Sequence, residues 1–570
     1  MSGGGDRAER DLLRAGQVSK RFAQLRAILD VADRDLPEAG RIAGLRDSFE
    51  VLAAVQRHDP GAVADLLGGP QVGSWAAWCL RRLNQGERDG TPAWLDLAQL
   101  GSVAAAAALR GGIDVRVRVP VRAGTVSIPS MGRALVDIGH EWALTECVAG
   151  PSGVLLDGAP PVEWTPVRVL RTEAAGVSLH VHLDEIEPYW RVFGIPISAR
   201  LTDEEAARWQ HWLEKAWQVI ADRHPHRLIT MAAAVRCLVP VEQDGRLGRV
   251  SASAAEAPGA VALTEPTDTT RLAATLIHES QHFRLSAVHD LRPLYREPAR
   301  TLLYSPWRND PRPIAGVLHG TMAFTAVADF WLRDREGTAA ELEYARQVRQ
   351  LRVAMAVVAD NDELTPFGRA LVTALGDAID RFPTNGSTEL TRIADDLVAE
   401  HRAHWRLHNV VPNDFTVRLA AQAWQRGEPL MPGTGEPAPA EPSGDNPLAR
   451  LAMAWLEDPA EVRAMDSRTL AARFPGTTTS DVLLLSGDHL ATRAAALARI
   501  TAGTANHRDW AALSVAHGRL CRDPSLSPLV ERPELVMAAW QRLAATDPGS
   551  LAALLSRYEA GTSTSDSMRR

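Results

Sequence analysis

Residues 276–285 read LIHESQHFRL, with His278 and His282 four positions apart and Glu279 between them. On a helix, positions i and i+4 lie one above the other, so both imidazoles can offer a nitrogen to one metal ion. In a zinc peptidase the glutamate of such an HExxH pair deprotonates the metal-bound water, while imidazole ligands suit iron equally well. The motif is short enough to arise by chance. Its weight here comes from its setting: apolar LAATLI before it and FRLSAV after it predict a helix from near Thr269, with strand-like sequence ahead.

A catalytic metal keeps an open coordination position, which usually means three protein ligands. The metzincin extension would require Gly at 285 and His at 288, where Leu285 and Val288 stand, so that subclass is excluded. A gluzincin takes a Glu from a later helix, but Glu297 falls in the proline-rich LRPLYREPAR and the next helix has no Glu on its early turns. That helix, in PIAGVLHGTMAFTAVADFW, carries His319 instead. A single histidine on an apolar helix is either a core residue or a ligand, and the pair upstream favours the ligand. Asp329, ten residues further on, is a candidate for a hydrogen bond to a ligating imidazole.

Between these segments lies YSPWRNDPRP, residues 304–313, a proline-stiffened loop with Arg308, Asp310 and Arg312. A guanidinium fork suits bidentate capture of a carboxylate: a peptide terminus in a peptidase, or the distal carboxylate of α-ketoglutarate in an iron oxygenase. An Arg308–Asp310 or Arg312–Asp pair that merely fixes the loop is the competing reading. Two other histidine groups read as polar faces more readily than as metal sites. His180 and His182 alternate along the strand-like VSLHVHL, and His401, His404 and His408 lie at i, i+3 and i+7 in EHRAHWRLH, interleaved with Arg402 and Arg406.

The elements that must position these residues predict an α+β, mostly helical fold. Residues 1–112 have helical apolar spacing, and residues 113–265 form a strand-rich α/β region containing IDVRVRVPV and VSLHVHL. Within it, LTDEEAARWQHWLEKAWQVI predicts a Thr-capped helix over 203–222, with strand-like pieces at 228–239, 247–253 and 259–263. Residues 266–430 form a helical metal-binding region, with helices at 314–333, 339–360, 366–381 and 388–425. The Pro/Gly-rich stretch 431–447 reads as a linker, and 448–570 as a separate helical C-terminal domain. A zincin-like motif helix next to a small sheet is the expected core of the site.

Composition bounds the function classes. The chain has 570 residues, 45% hydrophobic and 23% charged, with a formal net charge of −8. That balance fits globular domains and argues against a nucleic-acid partner, which would call for a concentrated basic face. No apolar run reaches the roughly 20 residues of a membrane span, and MSGGGDRAER lacks the pattern of a secretory signal, so no membrane partner and a cytoplasmic location are expected. Cys79, Cys147, Cys237 and Cys521 form no C-x-x-C pair and read as small core residues.

The strings LIHESQHFRL, SPWRNDPRPIAGVLHG and AVADFW together, with GAVADLLGGPQVGSWAAWCLRRL nearer the N-terminus, resemble the bacterial HExxH-motif peptide-modification proteins encoded with ribosomally made peptide natural products. The likeness spans about residues 40–425. It implies an Fe(II)- and α-ketoglutarate-dependent β-hydroxylase acting on a precursor peptide, with a peptidase-like helix holding iron in place of zinc. By the resemblance, His278, His282 and His319 would be the iron ligands, and Arg308 or Arg312 would bind the cosubstrate carboxylate. Glu279 diverges by about 100° from His278 around a helix, which makes it a base or a hydrogen-bonding partner sooner than a ligand. A zincin-type zinc metallopeptidase is the alternative. An interaction protein with a dead or structural site is disfavoured by the intact His278, Glu279 and His282.

Overall fold

The computed structural model describes residues 7–85, 90–137, 141–243, 250–334, 337–384, 386–428, 430, 435–438, 447–543 and 550–559. The chain divides into two compact units, one running up to Pro293 and one from Leu294 onward. Both are largely helical, and the sheets of any size lie in the first, so the class is α+β.

In the first unit, seven helices between Arg7 and Gly111 lead into a six-stranded antiparallel sheet. Its spatial order is Gly153–Leu156, Trp142–Gly150, Val115–Arg122, Thr125–Ile128, Gly132–Leu135 and Glu163–Pro166. The helical and strand-rich regions that the sequence separates at residue 112 share one hydrophobic core, from Leu25 and Trp75 to Val119 and Cys147. Helix Gln99–Gly111 makes this possible because its side chains are small. Ala104 to Ala108 are fully buried, and a Cβ at Gly101 would stand 1.9 Å from the Arg118 carbonyl oxygen, so only glycine admits the sheet this closely.

A second, mixed sheet of five strands orders Ser251–Ala252, Ala260–Leu263, Cys237–Pro240, Val177–Leu183 and Arg168–Ala174. Helix Asp203–Arg223 packs on Arg168–Ala174 and starts with a reciprocal cap: Thr202 Oγ1 accepts from the Glu205 N–H at 3.2 Å, and Glu205 accepts from the Thr202 N–H at 2.7 Å. The stretch predicted as strand over 228–239 is strand only from Cys237. Leu228–Ala234 is a short helix, because LITMAAA follows a 3₁₀ turn at Pro225–Arg227 and buries Leu228 and Met231 one turn apart. The motif helix, Thr269–Leu291, follows the strand Ala260–Leu263. It packs against Asp203–Arg223, Leu228–Ala234 and Arg7–Asp35.

In the second unit, helices Ile314–Arg333, Thr338–Val358 and Pro366–Asp380 match their predicted spans. The helix expected over 388–425 is two, Thr388–Asn409 and Asp414–Arg426, separated at Pro412, where Asn413 caps the second by accepting from Thr416 N at 2.8 Å. The linker lies partly outside the described residues. Within it, Glu436–Pro437 pairs antiparallel with Val410–Val411. Helices beyond 447 do not form a core apart from the preceding ones: Leu448, Trp455 and Leu484 pack with Leu390 and Ile393, and Trp510 and Trp540 pack with Leu407 and Trp424. Ile314–Arg333 is the one described helix with the length and hydropathy to cross a membrane, and 61% of its apolar window is buried within the protein.

Trp455, 1% exposed, is a shared element of that core. Trp455→Ala is expected to destabilise the second unit by about 3–5 kcal/mol, read as a lower denaturant midpoint. An unchanged midpoint would show that Trp455 contributes no packing to this core.

Candidate metal centre

The motif helix begins where the sequence places it. Asp268 is the cap, its side chain accepting from Arg271 N at 2.6 Å, and helical structure holds to Leu291. A buried stripe that includes Leu272, Leu276, Glu279, Phe283 and Ala287 turns toward the protein interior. At about 100° per residue, His278 and His282 stand about 40° apart on another face, with Glu279 at the boundary between their face and the stripe.

The two imidazoles converge. His278 Nε2 and His282 Nε2 are 3.0 Å apart, with ring centroids at 4.8 Å and planes at 76°. Two nitrogens bound at about 2.1 Å to one ion and separated by 90° would stand about 3.0 Å apart, so the spacing fits cis ligands. A carboxylate oxygen of Glu279, a residue only 2% exposed, lies within 4.8 Å of both nitrogens, a span that an ion or its bound water bridges. Burial lowers the pKa of His282 to about 4, with His278 adding to the fall and Glu279 opposing it. Burial also lowers that of His278, against the pull of Glu279. Both rings are therefore neutral near pH 7, the state in which imidazole binds metal. Two imidazoles with a nearby carboxylate suit zinc or iron(II).

A cavity of ≈ 480 Å³ also borders the motif helix, lined by Ser280, Gln281, Phe283, Arg284 and Ala287 with Arg14, His180 and Arg236. Ser280, Phe283, Arg284 and Ala287 lie on the far side of the helix from the histidine pair and Gln281 flanks it, so this space opens mainly away from the metal ligands. Ion pairs edge it: Asp65 receives Arg14 at 3.2 Å and Arg236 at 2.8 Å, and Glu9 receives Arg284 Nε at 2.8 Å. His180 is exposed, as a polar residue on a strand's outer face should be, whereas His182 is half-buried with its pKa lowered by burial to about 4.

His319, Arg308 and Arg312 belong to the second unit. His319 is half-buried on helix Ile314–Arg333, and Asp329 on that helix is paired with Arg333 at 3.4 Å. The arginine loop is held from both sides. A Cβ at Gly320 would stand 2.3 Å from the Trp307 indole, so glycine lets that ring lie on the helix, where it also meets Phe324 at 4.9 Å. From the other side Gln350 donates to the Pro306 carbonyl at 2.7 Å and Asn409 donates to the Asn309 carbonyl at 2.8 Å. Arg308 Nε reaches Asp310 Oδ1 at 3.0 Å and Arg312 Nε reaches Asp310 Oδ2 at 2.7 Å, so both arginines share one buried carboxylate. The loop-fixing pair is thus present for both.

The third histidine group splits. His401 is buried, with Nδ1 hydrogen-bonded to Tyr304 Oη at 2.8 Å, and burial raises the pKa of that phenol. His404 and His408 turn elsewhere, toward His507, a neighbour that spacing in the sequence could not reveal. Burial lowers the pKa of His401 to about 4, with Glu400 opposing and His404 and nearby arginines adding. Three of the four cysteines are buried and Cys521 is half-buried, with Sγ 3.2 Å from His517 Nε2. Neither a scan against models of known protein families nor a search of curated proteins returns a match for this chain.

Two outcomes are expected. His278→Ala and His282→Ala should each weaken divalent-metal binding at this centre at least about tenfold while Glu279→Gln retains it, read by calorimetric titration of chelator-treated protein. Independently, the unfolded chain protonates His401 near pH 6.5 and the folded one only near 4, so its contribution is complete above pH 6.5 and is lost as pH falls toward 4. Unfolding free energies from denaturant titrations should fall over that window by an amount on the order of 3 kcal/mol, and less in His401→Gln.

Proposed function

We propose that this chain is an Fe(II)- and α-ketoglutarate-dependent hydroxylase acting on the β-carbon of a residue in a ribosomally synthesised precursor peptide. The observation that carries the metal part of this reading is the 3.0 Å approach of His278 Nε2 to His282 Nε2 beside the buried carboxylate of Glu279. The choice of iron and a ketoacid rests on the resemblance of the motif, the arginine loop and the His319 helix to the HExxH-motif peptide-modification proteins. A zincin-like setting for the motif helix is part of the same proposal.

When bound, iron and α-ketoglutarate would supply the oxidant: dioxygen is consumed, the ketoacid leaves as succinate and carbon dioxide, and a C–H bond becomes C–OH. His278 and His282, kept neutral by desolvation, offer their Nε2 lone pairs. Glu279 accepts a hydrogen bond or a proton from a group held beside them, within reach through one water. Arg308 and Arg312 engage Asp310 through Nε, so a cosubstrate carboxylate would be met by their Nη groups. The peptide supplies the C–H bond, and the closed burial of Glu279 keeps bulk water from that carboxylate.

One observation favours a second reading. A buried glutamate next to an HExxH histidine pair is also the base that activates a zinc-bound water, which would make the chain a zincin-type metallopeptidase.

Anaerobic protein reconstituted with Fe(II) is expected to develop a visible metal-to-ketoacid charge-transfer band on addition of α-ketoglutarate, and zinc-loaded protein is not. Protein that holds zinc through purification and never develops the band would move the assignment to the peptidase. Whichever of Arg308→Ala and Arg312→Ala removes the cosubstrate contact should raise the α-ketoglutarate requirement about tenfold or more with little change for the peptide. Equal effects on both substrates would remove that arginine from the role. Stoichiometric iron in His319→Ala would remove His319 from the ligand set.

A further inference from the structure

We infer a second transition-metal site in the second unit, built from His404, His408 and His507 and independent of the HExxH centre. His404 and His408 stand at i and i+4 on helix Thr388–Asn409, the spacing at which two imidazoles serve one ion. Their rings are parallel within 10° with centroids 6.1 Å apart. His507, the first residue of helix His507–Leu520, stands 5.8 Å from His408 with its plane at 80°. The three rings line one open cavity of ≈ 330 Å³, together with Asn309, Gly476, Asn506 and Arg508.

Among the described residues none of these three rings makes a hydrogen bond to protein. Their ring contacts are with one another, and Glu400 and Arg508 lie close enough to His404 to act on it electrostatically. This sets them apart from His401 on the same helix, whose Nδ1 is taken by Tyr304. Rings sharing one ion at about 2.1 Å have centroids about 5 Å apart, so on metal binding the His404–His408 and His408–His507 separations would each shorten by roughly an ångström, and His404 and His507 would turn toward each other, through side-chain rotation. His408 is exposed and His404 and His507 are half-buried, and such positions permit that rotation.

The same pocket is poorly made for an anion. Arg508, its only guanidinium, donates to the fully buried Glu400 at 3.2 Å. The N-terminal amides of the His507 helix are already capped, since Asn506 Oδ1 accepts from Arg508 N at 2.9 Å and from Asp509 N at 3.2 Å. What remains on offer is imidazole nitrogen, a donor for zinc, copper, nickel or cobalt(II) and not for calcium or magnesium.

Chelator-treated full-length protein titrated with Co(II) or Zn(II) tests the site, with stoichiometry from calorimetry and the Co(II) visible spectrum as a separate readout. The His278→Ala/His282→Ala double variant is expected to keep one equivalent, which separates this site from the HExxH centre. Adding His404→Ala/His408→Ala should abolish that equivalent and its spectrum, and His507→Ala alone should weaken it at least about tenfold. His408→Gln, at an exposed position, gives the same loss without disturbing the fold. Retention of the equivalent in the quadruple variant, or unchanged affinity in His507→Ala, would overturn the proposal.

Discussion

Two imidazole nitrogens 3.0 Å apart can coexist only if their rings do not both carry a proton on the facing atom, and the packing of the first unit around His278 and His282 meets this constraint. The helix supplies the spacing, but desolvation keeps His278 and His282 neutral, and desolvation requires packed neighbours. Helices Asp203–Arg223, Leu228–Ala234 and Arg7–Asp35 supply them, and each has its own reason to be in place. The Thr202–Glu205 cap starts the first, and Pro225 precedes the second. In the third, Gln17 and Lys20 both reach Asp290 on the motif helix, at 2.8 and 2.7 Å. Glu279 shares the same burial, so the geometry that makes the nitrogens available as ligands also holds a carboxylate near them.

In the second unit the corresponding constraint is a missing side chain. Gly320 leaves space for the Trp307 indole against helix Ile314–Arg333, and Gly316 lets the stem of Arg312 lie close by, with a Cβ there 3.3 Å from the Arg312 Cβ. With the loop seated in this way, Asp310 is buried between two guanidinium groups, and burial of an unpaired carboxylate would be costly. Asp310 meets both arginines through Nε. Helix Thr388–Asn409 then carries two kinds of histidine within eight residues. One is tied to Tyr304 in the interior, and the others open to a cavity shared with a helix about a hundred residues later in the chain.

Much of the local structure was legible from residue patterns. HExxH at i, i+4 predicted a converging pair, TDEEAAR predicted a capped helix, and alternating VRVRVPV predicted a strand, because each is a short-range preference carried by the residues themselves. Leu228–Ala234 was misread as strand, since a short apolar run has no period long enough to separate helix from strand. The helix over 388–425 was drawn through Pro412, although proline without its N–H and with Asn413 after it is a stop followed by a cap. The boundaries at 112 and 447 followed changes in composition, but cores form by contact. Val119 shares a core with Leu25, and Trp455 with Ile393, whatever lies between them in the chain.

The sequence by itself determined which residues can do chemistry and the local spacing that pairs His278 with His282 and His404 with His408, because helix geometry fixes i, i+4 neighbours without reference to the rest of the fold. It also determined the arginine loop's stiffness, through its prolines. Only the tertiary structure decided the charge states and the partners. Neutral imidazoles require surrounding atoms that exclude water, Asp310 is ion-paired with both Arg308 and Arg312, and His507 joined His408 through packing of helices remote in sequence. Desolvation and long-range contact depend on the density and identity of neighbours in space, and a linear string does not carry that information.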